Sequence, residues 1–140
     1  MYRKLIKPRE KRIVDLLKSF DLPVMIHSYG SSSWVFEDFI EMGINTVDAL
    51  QPEAANMNPD SLVERFGGRI GFHGCISTAG TVVNGTPEEM HQEVKRIMGI
   101  MKQARGFMVS TAHHLQDDSS LENMWPIFRL HLRRAGRNLE

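Results

Sequence analysis

Cysteine is nearly absent: Cys75 is the only one in 140 residues. That excludes an intramolecular disulfide and any metal site built on cysteines alone, and it fits a reducing, cytoplasmic setting. Net charge is missing too, because seventeen Lys and Arg balance seventeen Asp and Glu at a formal +0. Such a chain carries no global field for a polyanion, so neither nucleic acid nor an anionic membrane is an expected partner. No apolar run approaches the roughly 20 residues of a membrane helix, and the opening MYRKLIKPREKR lacks the apolar stretch of a signal peptide. Repeats, linkers and low-complexity tracts are also lacking. What remains, 41% hydrophobic and 24% charged residues, is the composition of one globular domain over residues 1–140.

Periodicity sorts that domain into alternating elements. Pro8 opens a helix to residue 20 with Ile13, Leu16, Leu17 and Phe20 on one face. PVMIHS reads as a first strand, and Ser31 to Ser33 offer hydroxyl caps to a helix bearing Val35, Phe36, Phe39 and Ile40, closed by Gly43. Residues 44–50 predict a second strand, 60–66 a helix, and RIGFHG a third strand followed by a loop through CISTAGTVVNG. Thr86 and Glu89 form a capping box, with Pro87 at the first helical position and Met90, Val94, Ile97, Met98 and Met101 on one face. GFMVST predicts a fourth strand. Ser119 with Glu122 then caps a last helix, which Pro126 should kink or delay. Four strand-helix units in series imply a parallel α/β sheet, either an open doubly wound sheet or half of an eight-unit barrel.

In either architecture the carboxyl ends of the strands carry the site. His27 ends the first strand, His73 the third, and His113 follows the fourth, with Asp48 late in the second. Imidazoles gathered there suit acid-base work or metal ligation, whereas each alone could simply hydrogen-bond a neighbouring loop. His91 and His131 fall on helices, where solvated or packing roles are the simpler expectation, and His114 adjoins His113 but points elsewhere. SYGSSS and GCISTAG have the small and hydroxyl residues of an anion-receiving loop, but neither matches a phosphate-loop pattern. Cys75 either faces the site or is an inert apolar residue, and the methionines are core. The basic run RLHLRRAGR reads as a solvated helix face.

Six blocks, YRKLIKPREKRIVDLLKS, PVMIHSYGS, FIEMGINTVDALQPEAANM, FGGRIGFHGCIST, GTPEEMHQEVKRIM and HHLQDDSSLEN, resemble the uroporphyrinogen decarboxylase superfamily in that order. The resemblance implies a (β/α)8 TIM barrel, of which this chain matches the C-terminal half, about four parallel strands with helical crossovers. It implies cofactor-independent decarboxylation of a tetrapyrrole carboxylate, with His113 at the substrate and His27, Gln51 and His73 lining the same mouth. The arginines and aspartate that hold the tetrapyrrole in that family lie mainly in the half not matched here.

Relatives that move methyl groups between corrinoids and thiols such as coenzyme M hold zinc through a His-x-Cys pair and a later cysteine. Here His27 matches the histidine, Tyr29 replaces the cysteine, and His113 stands near the later ligand, so zinc would have to use His27 and His113. The expected small-molecule partner is therefore tetrapyrrole- or corrinoid-related, with no cofactor in the first reading and an altered zinc site in the second. A third reading is a non-catalytic fragment or one half of a split enzyme. An arc of four strands has two open edges, which implies pairing with a second copy or a complementary half-barrel.

Overall fold

The computed structural model describes residues 1–134. Its order is α1 (Tyr2–Leu5), α2 (Lys7–Lys18), β1 (Met25–His27), a 3-10 turn (Ser33–Val35), α3 (Phe36–Met42) and β2 (Thr46–Leu50). There follow α4 (Pro59–Phe66), β3 (Gly71–Ile76), α5 (Thr81–Asn84), α6 (Pro87–Met101), β4 (Phe107–Thr111) and α7 (Leu121–Arg134). All three strand pairings are parallel, and the spatial order is β1-β2-β3-β4. A doubly wound sheet reverses direction at a switch point. This one never does, so of the two architectures open to the sequence it adopts the arc of a TIM barrel, with four of the eight strands such a barrel carries.

Local chemistry explains most of the boundaries. Thr86 Oγ1 accepts from the Glu89 N–H while Glu89 Oε2 accepts from the Thr86 N–H at 2.7 Å, the reciprocal bonds of a capping box. Met90, Val94, Ile97 and Met101 of that helix are buried and Met98 packs against them. Asn58 caps α4 through the Asp60 N–H, and Gly43 ends α3 with φ of 91°, a conformation glycine adopts freely. Apart from Ala49 and Ala112, the buried apolar residues form one cluster between helices and sheet, with Phe36, Phe66 and Phe72 among its largest side chains.

Several expectations are corrected. Only Val14 of α2 is buried and Leu17 half-buried, while Ile13, Leu16 and Phe20 are exposed, because the helix lies against α3 through a different stripe. The hydroxyls at 31–33 cap nothing: Ser31 Oγ donates to the Ala55 carbonyl and Ser32 Oγ to that of Ser28. β3 runs on to Ile76, and the supposed loop beyond it contains α5. Ser120, not Ser119, accepts from the Asn123 N–H at the start of α7, and that helix continues through Pro126 without a delayed start. Within the basic run, residues 135–137 lie outside the described residues, and the side chains of 130–134, that of His131 included, are likewise outside the description. No helix among the described residues is long and apolar enough to cross a membrane.

Candidate functional site

Strand register builds the site. Ile26, Val47, Phe72 and Phe107 align across the sheet, and this row faces the helices, with Val47 and Phe72 fully buried. Side chains alternate along a strand, so the next residue of each points to the other face. His27, Asp48, His73 and Met108 therefore make a row on the side the helices do not cover, where Met108 is half exposed.

Asp48 is the centre of that row. Its Oδ2 lies 2.7 Å from Nδ1 of His27 and its Oδ1 2.5 Å from Nδ1 of His73. Side-chain exposure falls from 67% at His27 to 24% at His73 and 21% at Asp48, so the shared carboxylate is the most sheltered of the three. Partial burial pushes the Asp48 carboxyl up, but the bonds from His27 and His73 outweigh it and hold the group below the usual carboxylate range.

A break in register makes this geometry possible. Pairing between β2 and β3 shifts between Val47 and Leu50, where the Asp48–Ala49 peptide is cis. Opposite it, Gly74 and Cys75 both have positive φ, 101° and 75°. Bulges of this kind re-aim side chains next to sites. A Cβ on Gly74 would meet the Leu50 nitrogen at 3.0 Å, a tight backbone contact that favours glycine there.

His113 follows β4, exposed, with Nδ1 3.4 Å from the His114 carbonyl and its ring edge-on to Tyr29 at 5.2 Å between centroids. It shares one cleft of about 490 Å³ with His27, Asp48, His73, Ser110, Thr111 and His114. A second, largely apolar cleft of about 270 Å³ adjoins through His73, Ser110, Thr111 and Leu115, and is floored by Met108, Val109, Ile127 and Phe128. Three of the four residues singled out from sequence, His27, His73 and His113, thus border one cleft. Gln51 does not line it; half-buried after β2, it accepts from the Ala54 N–H through its carbonyl. His91 lines a different groove between α6 and α7.

Asp48 bridges two histidines, Ser110 and Thr111 join the cleft unannounced by any motif, and His114, expected to point away from His113, borders the same cleft. Alternation signals two of these, since Asp48 sits one residue past buried Val47 and Ser110 two past Met108. Hydroxyls of both loops bond to the protein itself, Ser31 and Ser32 donating to carbonyls and Ser77 Oγ accepting from the Gly80 N–H at 2.8 Å. Cys75 is wholly buried in the core, and burial pushes its thiol up to about 12, which makes it inert rather than a ligand. Among the described residues no three His, Cys, Asp or Glu side chains are placed to hold a metal ion together.

Comparison with known proteins adds one match. The model of a family described as Uroporphyrinogen decarboxylase (URO-D) covers residues 1–130. No curated protein matches the chain significantly.

Proposed function

The chain belongs to the uroporphyrinogen decarboxylase family, and from that premise we propose that its cleft binds a tetrapyrrole carboxylate for cofactor-independent loss of CO2. The observation that supports this is the gathering of His27, Asp48, His73 and His113 at the carboxyl end of the parallel strands, where barrel enzymes hold their substrates.

In such a reaction a proton adds at a pyrrole α-carbon, which turns the ring into an electron sink. The bond between the methylene and the carboxylate then breaks, CO2 leaves, and its electron pair enters the ring. A proton is delivered to the methylene carbon and the α-proton is lost, so one proton is consumed for each CO2 released. His113, exposed at the mouth and not held by a carboxylate among the described residues, is suited to hold a substrate carboxylate or exchange a proton. The apolar cleft beside it offers room for the flank of a macrocycle.

The reading extends to a partner. β1 and β4 each pair on one side only among the described residues, so a second four-stranded unit, a further copy or a complementary half-barrel, would close the sheet. Anaerobic incubation with uroporphyrinogen, followed by mass analysis of the products, tests the activity. Stepwise loss of CO2 that drops at least tenfold in His113→Ala supports it. No turnover by a folded assembly, or turnover indifferent to His113, contradicts it.

A further inference from the structure

The arrangement around Asp48 says more than that three groups touch. An ionised carboxylate has only acceptors, and Nδ1 of both His27 and His73 is within hydrogen-bond distance of its two oxygens. Each Nδ1 must therefore carry a hydrogen. In a neutral imidazole that leaves Nε2 bare, and neither Nε2 has a hydrogen-bond partner among the described residues. Both rings line the cleft.

We propose that Asp48 is a positioning residue that locks His27 and His73 in one tautomer, so that the cleft recognises its ligand through N–H donors given to two bare Nε2 acceptors. A bare lone pair offers nothing to a carboxylate arm. It suits the N–H groups of pyrrole rings, and a site built to accept an N–H discriminates strongly against an analogue without one, because its acceptors are then left unpaired. Asp48 itself reaches no ligand in this scheme: both its oxygens are engaged by the rings it orients. The ligand class rests on the function proposed above. The tautomer assignment does not, which keeps the two separable.

The test uses the whole chain labelled with 15N. At about pH 8.5, long-range 1H–15N correlations distinguish a protonated ring nitrogen from a bare one. His27 and His73 are expected to show hydrogen on Nδ1 and none on Nε2, with His91 as an internal reference away from the cleft. Asp48→Asn presents one acceptor and one donor, so one of the two rings should switch to hydrogen on Nε2. Hydrogen on Nε2 of either ring in the unmodified protein overturns the proposal, as does a folded Asp48→Asn chain with both patterns unchanged. Should that variant fail to fold, the unmodified protein still decides.

For the ligand, a carboxylate-bearing monopyrrole is titrated against its N-methyl analogue. A shift at the Nε2 of His27 or His73 with the free pyrrole, whose single N–H can serve one acceptor at a time, and at least tenfold weaker binding of the N-methyl compound, support N–H recognition. Equal binding of the two overturns it. Absence of decarboxylation alongside the expected tautomers would count against the proposed reaction and not against the role of Asp48.

Discussion

Gly74 and Leu50 approach so closely across β2 and β3 that a Cβ on the glycine would lie 3.0 Å from the leucine backbone nitrogen. With φ of 101° at the same residue, sterics and backbone conformation both demand glycine next to the bulge that aims Asp48 at His73. Gly74→Ala is expected to cost about 1–3 kcal/mol, seen as a lower denaturant midpoint. A midpoint unchanged within error would show that the strand pairing tolerates a side chain there.

Asp48 makes stability depend on acid in a defined direction. Its carboxyl is held below the usual range, so the stabilisation of the ionised form is complete above the unfolded value of about 3.9 and is lost as pH falls through the depressed folded value. The stability difference between the unmodified protein and Asp48→Asn should shrink as pH drops below about 4. A difference that grows with acid would reverse the assignment of sign.

The thiol of Cys75 is fully buried and pushed up to about 12 by that burial. Thiol reagents at about pH 8 should leave the native protein unmodified and label it at once in denaturant. Rapid labelling of the folded chain would place Cys75 at an accessible surface instead of in the core.

Thr86→Ala removes one side of the capping box on α6 and is expected to cost about 1 kcal/mol in thermal or chemical unfolding. That box was readable in advance because its partners lie three residues apart. The same holds for the apolar face of α6 and for Gly43, where spacing along one helix carries the whole signal. The strands were also legible as short apolar runs between turn residues.

The site was legible only in part, and distance along the chain explains why. His27, Asp48 and His73 are 21 and 25 residues apart, and nothing local says that the two histidines meet the same carboxylate. Their meeting depends on parallel register and on the register shift between Val47 and Leu50. Exposure is non-local as well: Ile13, Leu16 and Phe20 have a helical spacing typical of core residues, yet the elements packed on α2 cover a different stripe. The short α5 carries two valines in TVVN, residues that favour strands, so composition pointed away from it.

Among the described residues β1 and β4 each leave one edge unpaired, which predicts association. Light scattering on the purified chain should give a mass near twice 16.0 kDa or a higher even multiple, and a compact monomer would contradict closure of the sheet by a second copy. Metal analysis of the same peak bears on the donor set, because stoichiometric zinc lost in His27→Ala would move the assignment to methyl transfer.

The central claim is that substrate binds on the uncovered face of the sheet, against His27, His73 and His113. Titrating the 15N-labelled chain with uroporphyrin, a stable tetrapyrrole carboxylate, and following every histidine ring and backbone amide tests it most directly. The prediction is saturable, concerted shifts at those three histidines and at Ser110 and Thr111. Shifts confined to the groove of His91 and Trp125 between α6 and α7, or none at any concentration, would contradict it.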